Sequence, residues 1–173
     1  MGRISTYKCT WYDEKMRVRR RKGAIVVSQG GFEAGAVDRL KQAGFRVTLP
    51  RVQVIRTLAM ADKPLSAYGI HQEIIASGAR VDVVSVYRIL ETLAKLCLIH
   101  HVGIVDGYMA CKLDDTHESE AEHVVCTECG RVTELPLPPA VTDTTNGQLM
   151  ALGFSPKQTR VEILAVCPNC AAT

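Results

Sequence analysis

Two Cys-x-x-Cys pairs in the last third of the chain are the residues with the clearest capacity for chemistry. They are Cys126 with Cys129, and Cys167 with Cys170. A gap of two residues lets the backbone curl so that both sulfurs of a pair face one point, and four such thiolates suit a tetrahedral zinc ion. The alternatives are two disulfides or four separate core cysteines. The first residues contain no apolar secretory leader, which favours zinc.

The zinc predicted at this site is structural rather than catalytic. Four protein ligands fill the tetrahedral coordination sphere and leave no open position for a water or a substrate. The stretch between the two pairs is longer than that of a simple zinc ribbon, so the metal is expected to join two ends of a small folded unit. The function must therefore reside elsewhere in the chain.

A second set of metal-ligand residue types lies around the middle of the chain. Its members are His100, Cys111, His117, His123 and Glu134. Imidazole, thiolate and carboxylate groups together suit a borderline-soft divalent ion, and zinc fits best. The thiolate disfavours iron and manganese, which prefer oxygen-rich sets, while copper and nickel stay compatible. Taken singly, each residue has a common structural role, so only their grouping predicts a second zinc ion, about two per protomer.

The elements that must position these residues begin with four helical blocks between residues 32 and 98. Pro50 suits the first turn of the second helix, and Ser66 and Asp82 are N-cap residues for the third and fourth. Gly44 and Gly78 end the first and third helices. The predicted core positions are Ala36, Leu40, Ala43, Val54, Ile55, Leu58, Ile70, Ile74, Val86, Ile89, Leu90, Leu93 and Cys97.

Two short β-prone runs follow, over residues 98–102 and 108–113, and the Asp106-Gly107 pair between them predicts a hairpin. Helices followed by a hairpin are typical of a winged helix-turn-helix, in which the last helix enters the major groove of DNA. A helical bundle with no nucleic-acid role is the alternative. The exposed face of the last helix would carry short hydroxyls and cations, namely Ser85, Arg88, Thr92 and Lys95.

The chain becomes acidic and loop-like after residue 113, which predicts a junction over residues 114–121. The predicted elements beyond it are strands at 124–125, 132–135 and 159–166 and a helix over 138–152. A β-β-α-β unit of this size has open sheet edges and one apolar face, so a homodimer is expected.

The predicted fold class is α+β. An N-terminal winged helix-turn-helix domain over residues 32–113 is followed by a small α/β dimerisation domain with the four-cysteine zinc site over residues 122–173.

The charge is distributed unevenly along the 173 residues, whose formal net charge is +3. Residues 1–30 carry eight basic and two acidic side chains, whereas residues 109–173 carry four basic and nine acidic ones. A basic N-terminal part suits contact with a polyanion such as DNA. Residues 1–31 are predicted to form a basic flexible arm.

No apolar run reaches the roughly 20 residues that a membrane span needs, so a cytoplasmic protein is expected.

These motifs, in this order, resemble the ferric uptake regulator family, and most closely its zinc-uptake-regulator branch, from about residue 33 to residue 170. The matching motifs are Gly44-Phe45-Arg46-Val47-Thr48 with Arg51, Leu65-Ser66-Ala67-Tyr68, Ser85 to Leu90, Tyr108 to Leu113 and the two cysteine pairs. The resemblance implies a homodimeric transcription factor that binds double-stranded operator DNA and no small organic substrate. It also implies repression of zinc-uptake genes with zinc as the corepressor.

The resemblance also implies roles for particular residues. Tyr68 and Arg88 occupy DNA-contact positions, with Tyr87 in the same helix. The regulatory ligand positions are occupied by His100, Cys111 and Glu134. The His-rich cluster that often precedes the first cysteine pair in this family is here a single histidine, so either His117 or His123 completes the site.

Three basic residues of the predicted DNA-binding domain suit different contacts with DNA. Arg88 suits contact with a base edge or a phosphate, since its guanidinium can bridge guanine acceptors bidentately. Arg51 and Lys95 suit phosphate contacts, which add affinity without specificity.

Other functions share parts of this pattern. An iron-, manganese- or peroxide-responsive regulator of the same family has the same domains. A thiol redox module would use the Cys-x-x-Cys pairs without metal. A zinc hydrolase needs an open coordination position and a general base, and the sequence offers only ligands. A protein-interaction zinc module leaves the basic helix and the hairpin unexplained. The protein is therefore not expected to be an enzyme.

Overall fold

The computed structural model describes residues 31–111, 121–157 and 159–172. The chain divides into two compact units, and the division falls between Cys111 and Lys112. Residues 1–30 of the predicted basic arm (1–31) and residues 114–120 of the predicted junction (114–121) lie outside the described residues, and residue 121 begins a strand. The predicted domain limits therefore stay predictions.

Helices make up most of the described part of the first unit. They are α1 (Phe32–Gln42), α2 (Leu49–Met60), α3 (Ala67–Ala76) and α4 (Val83–Lys95). The predicted caps are present: the Ser66 hydroxyl oxygen accepts from the Gly69 N–H at 3.0 Å, and the Asp82 carboxylate accepts from the Ser85 N–H at 2.8 Å. Gly44 ends α1 in the left-handed region at φ +79°, where a residue with Cβ is disfavoured.

The core of the first unit forms where the apolar faces of these helices meet the first strand of the hairpin. Its buried members are Ala36, Leu40, Val54, Ile55, Leu58, Ala67, Ile70, Ile74, Val86, Ile89, Leu90, Leu93, Leu96, Leu98 and Ile99. Among the predicted core positions, Ala43 is only partly buried, and so is Cys97. Cys97 follows the end of α4 at φ +55° and is half-buried, because the chain reverses there: the Leu98 N–H donates to the Leu93 carbonyl at 3.0 Å.

The hairpin consists of β1 (Ile99–Val102) and β2 (Gly107–Ala110), paired antiparallel. A 3-10 turn over Gly103–Val105 and a left-handed Asp106 connect them. Leu65, just before α3, pairs with Tyr108: each backbone N–H donates to the other residue's carbonyl, at 2.9 and 2.8 Å. The hairpin is thereby attached to the start of α3.

The second unit contains the predicted β-β-α-β sequence and one additional short helix. Its elements are β3 (Ala121–Cys126), β4 (Val132–Pro136), α5 (Pro139–Ala151), β5 (Val161–Ala165) and α6 (Pro168–Ala171). The strand order is β4-β3-β5, with β3 antiparallel to β4 and parallel to β5. The predicted α+β class is confirmed. Among the described helices, none combines the length and the apolar character needed to cross a bilayer.

Candidate metal centres and nucleic-acid interface

The four predicted zinc cysteines come together in the second unit. The sulfurs of Cys126, Cys129, Cys167 and Cys170 all lie within 4.8 Å of one another, and those of Cys129 and Cys167 are 3.8 Å apart. Four sulfurs, each about 2.3 Å from a central zinc ion, form a tetrahedron with edges of about 3.8 Å. The residues present therefore fit a structural zinc ion.

The parallel pairing of β3 with β5 brings the two cysteine pairs to one end of the sheet. Cys126 is the last residue of β3 and lies opposite Ala165, the last residue of β5. The Thr127 N–H donates to the Ala165 carbonyl at 2.9 Å, which continues this pairing into the first cysteine turn. Gly130 closes that turn at φ +69°, with its N–H donating to the Cys126 carbonyl at 2.9 Å.

The pKa values of two of these thiols, Cys126 and Cys170, are shifted in opposite directions. Hydrogen bonds from the backbone N–H groups of Cys129 and Cys167 lower the pKa of Cys126 to about 6, and the Cys167 N–H lies 3.3 Å from the Cys126 sulfur. A hydrogen bond to the Cys167 side chain, together with burial, raises the pKa of Cys170 to about 12. Since zinc binds thiolates, loading of the cluster must release protons.

Two of the predicted regulatory ligands are neighbours on the hairpin of the first unit. His100 lies on β1 opposite Met109, and Cys111 follows β2, with its N–H donating to the Leu98 carbonyl at 3.0 Å. Since side chains alternate along a strand, Cys111 is on the same face as Met109 and His100. A ring nitrogen of His100 and the sulfur of Cys111 lie within 4.8 Å of each other.

Two other predicted ligands are paired inside the second unit. His123 on β3 lies opposite Glu134 on β4. The His123 Nε2 is 3.6 Å from the Glu134 Oε1, and the two side chains are only 4% and 2% exposed. Polar groups buried to this extent need hydrogen-bond partners, and charged ones need an opposite charge or a metal ion. His117 lies outside the described residues, so its role stays a prediction.

The predicted DNA-contacting residues of the third and fourth helices lie mostly on the surface. Tyr68 on α3 and Tyr87, Arg88 and Lys95 on α4 are exposed. The Tyr68 ring stacks on His71 of the same helix, with ring centroids 6.1 Å apart. Aromatic and cationic groups are thus exposed on α3 and α4.

The other two predicted DNA contacts have intramolecular partners. The Ser85 hydroxyl donates to the Asp82 carboxylate at 2.6 Å and is part of the cap of α4. The Arg51 guanidinium donates to the Arg46 carbonyl and lies over the Phe45 ring, 5.4 Å from its centroid. Each residue therefore has a structural role, and its role in DNA binding stays a prediction.

One exposed apolar residue of α4 was predicted neither as a core residue nor as a DNA contact. Val84, in the first turn of α4, is 55% exposed. It precedes Arg88 by four residues, so the two share one helix face. Plotting the residues of α4 around the helix axis would have placed Val84 next to Arg88, whereas a search for polar DNA-contacting residues passes over it.

Four helices followed by a hairpin, in a chain that also carries a small mixed sheet with a zinc-competent cluster of four cysteines, are typical of metal-responsive DNA-binding transcriptional regulators. Residues 42–164 match the sequence profile of the Ferric uptake regulator family. The chain belongs to this family. Its members regulate transcription and are not enzymes.

Curated relatives carry the same family name. The Ferric uptake regulation protein of Legionella pneumophila is 28% identical over 138 residues, which cover 77% of this chain and 96% of that protein. The Ferric uptake regulation protein of Shigella flexneri is 30% identical over 96 residues, which cover 55% of this chain and 64% of that protein.

Solved structures of zinc uptake regulators are also similar. The crystal structure of holo XcZur has a TM-score of 0.72 and 26% identity, and the match covers 82% of this chain and 98% of that chain. A zinc uptake regulator complexed with zinc and DNA has a TM-score of 0.72 and 25% identity, with coverage of 81% and 93%. The Helicobacter pylori ferric uptake regulator Fur, at 19% identity and a TM-score of 0.51, shares the fold.

Proposed function

We propose that this protein is a zinc-responsive repressor of zinc-uptake genes, with zinc as its corepressor. The observation that carries the proposal is the His100–Cys111 pair on the hairpin, whose ligand atoms lie within 4.8 Å. A thiolate beside an imidazole favours zinc over iron and manganese, which prefer oxygen ligands. Similarity to two zinc uptake regulators, at TM-scores of 0.72, supports the same assignment.

The proposed regulatory ion takes ligands from both units. His100 and Cys111 come from the first unit and Glu134 from the second, with either His123 or His117 completing the set. Together with the ion held by the four cysteines, this gives about two zinc ions per protomer. The regulatory ion is the exchangeable one, since it has one thiolate ligand whereas the structural site has four.

Regulation follows from the distribution of these ligands. Residues from two units can reach one ion only in one relative orientation of the units, so zinc binding selects that orientation. In a homodimer the orientation sets the distance between the two α4 helices, and DNA accepts a pair whose separation is near one helical turn, about 34 Å, or a multiple of it. DNA must in turn raise zinc affinity by the same factor, and a tenfold effect needs only about 1.4 kcal/mol of coupling.

The dimer is proposed from the apolar surface of the second unit. Large side chains that would normally be buried are exposed on its helix, loop and edge strand, namely Met150, Leu152, Phe154, Ile163 and Leu164. Exposed apolar groups in such number are typical of a protein–protein interface. β5 pairs only with β3 among the described strands, so its other edge is open as well.

The second candidate function is an iron-responsive regulator, because the curated relatives are named ferric uptake regulation proteins. Titrating zinc, iron(II) and manganese(II) separately while measuring binding to a zinc-uptake promoter distinguishes the two. We expect zinc to promote binding at the lowest free concentration. Stronger promotion by iron(II) would overturn the zinc assignment.

The ligand assignment is tested with Cys111→Ser and His100→Gln, which should both lose zinc-dependent DNA binding. His101→Gln is the matched control: its ring nitrogen pairs with Asp106 at 3.0 Å, and it is the next residue on the same strand. If Cys111→Ser keeps the wild-type zinc dependence, the hairpin pair is not the sensor.

Mild chelation should remove one zinc ion and abolish DNA binding while the protein stays folded.

A further inference from the structure

Helix α4 exposes an apolar side chain at its N-terminal end, which is the end expected to contact the bases. Val84 lies in the first turn of α4 and is 55% exposed. The opposite side of the helix already supplies the core, with Val86, Leu90 and Leu93 almost fully buried. Val84 is thus not required by the core, and its exposure leaves two methyl groups in contact with water.

The polar groups around Val84 are engaged in capping the helix. The Asp82 carboxylate accepts both the backbone N–H and the hydroxyl of Ser85, at 2.8 and 2.6 Å. The Ser85 hydroxyl hydrogen is therefore not available to a base. Val84 is left as the outward side chain of this turn, one helical turn before Arg88, which is also exposed.

The major groove presents one apolar group, the C5-methyl of thymine, among hydrogen-bond donors and acceptors. In helix-turn-helix proteins the N-terminal residues of the second helix contact the base edges. We propose that Val84 is a specificity-determining residue that packs against a thymine C5-methyl in each operator half-site. This inference rests on the DNA binding stated under the proposed function.

The side chain suits this contact for a conformational reason. Valine in a helix has one strongly preferred χ1 rotamer, so little side-chain entropy is lost when DNA binds. Tyr87, which is 51% exposed, lies beside it on the surface of the helix and helps exclude water from the contact. Packing against one methyl group should change affinity about fourfold.

The test uses a duplex selected by the wild-type protein, with zinc present, from a library of randomised double-stranded DNA. Each thymine of the selected half-site is then replaced by deoxyuridine, which removes only the methyl group. Wild-type protein should lose affinity about fourfold at one such position. Val84→Ala should bind the thymine duplex more weakly than wild type, and replacing that thymine by deoxyuridine should not lower its affinity further. Val84→Thr keeps one methyl group, so its affinity should still fall on this replacement, but by less than that of wild type.

The matched control is Val141→Ala, the same change at an exposed valine of the second unit. It should keep the full thymine-to-deoxyuridine loss. The inference is overturned if wild-type protein binds every deoxyuridine duplex as well as the thymine duplex, or if Val84→Ala keeps the wild-type loss at every position. Failure to enrich any duplex would overturn operator binding itself, and with it the role of Val84.

Discussion

At the scale of single residues, Arg51 has partners that suggest a role in holding a loop. Its guanidinium donates to the Arg46 carbonyl and lies over the Phe45 ring. We expect Arg51→Ala to destabilise the protein by about 1 kcal/mol, because both a hydrogen bond and a cation–π contact are lost. Thermal unfolding of the metal-loaded protein measures this change.

Arg51→Lys separates the loop role from a phosphate contact. Lysine keeps the positive charge but lacks the planar group that stacks on Phe45. If Arg51 holds the loop, the lysine variant should be destabilised as well, with the slope of DNA affinity against salt unchanged from wild type. A stable Arg51→Ala variant with a reduced salt slope would instead identify a phosphate contact alone.

Asp82 gives the cap of α4 a dependence on pH. Hydrogen bonds from the side chain and the backbone N–H of Ser85 lower the pKa of Asp82 below the ordinary 3.8. A carboxyl whose pKa is lower in the folded state stabilises the fold fully above its unfolded pKa and loses this effect as pH falls through the folded value. Asp82→Ala should therefore lower the melting temperature at neutral pH, and its difference from wild type should shrink below pH 3.8.

Asp82→Asn is the control for this prediction. Asparagine is an equally good N-cap but does not titrate, so its stability should match wild type at neutral pH. Zinc release in acid affects all three proteins alike. A difference between Asp82→Ala and wild type that stays constant as pH falls would contradict the role of the ionised carboxylate.

At the scale of elements, the attachment of the hairpin to α3 depends on close packing at Gly107. A Cβ atom at Gly107 would lie 2.7 Å from the Pro64 Cβ and 3.1 Å from the Pro64 carbonyl carbon. These contacts flank the two hydrogen bonds between Leu65 and Tyr108. Gly107→Ala should therefore destabilise the first unit by about 1–3 kcal/mol and weaken operator binding, as measured by thermal unfolding and DNA titration.

Gly35→Ala in α1 is the matched control, because no atom lies within 4 Å of the added Cβ. This change should be neutral or stabilising, since alanine is favoured over glycine inside a helix by up to about 1 kcal/mol. If Gly107→Ala is as stable as wild type, the hairpin is not held against α3 in the way these contacts indicate.

At the scale of the whole molecule, the proposed dimer should depend on the exposed apolar residues of the second unit. Leu164 on the edge strand β5 is 58% exposed, so a charge there leaves the protomer folded. Leu164→Asp should convert the dimer to a monomer, because a buried carboxylate at an interface has no partner. It should also weaken operator binding by at least about tenfold, since only one half-site is then held per molecule.

Met60→Asp is the control for surface charge, at a position of the first unit that is 78% exposed. Light scattering of both variants should give a monomer mass for Leu164→Asp and the wild-type mass for Met60→Asp. A wild-type mass for Leu164→Asp would show that the apolar surface around β5 is not the dimer interface.

The order of helices and strands and the family were predictable from the sequence because both rest on local patterns. Ser66 and Asp82 cap helices through bonds that span three residues, and Gly44 ends α1 through its own backbone freedom. The spacing within each cysteine pair is equally local. Short-range signals of this kind can be read from one stretch of chain at a time.

Contacts between distant stretches were decided only by the tertiary structure. The parallel pairing of β3 with β5 brings together two cysteine pairs that lie about forty residues apart. The two hydrogen bonds between Leu65 and Tyr108 likewise join segments that lie far apart in the chain. Strand partners and side-chain exposure depend on which surfaces meet in three dimensions, and apolar periodicity along the chain does not contain that information.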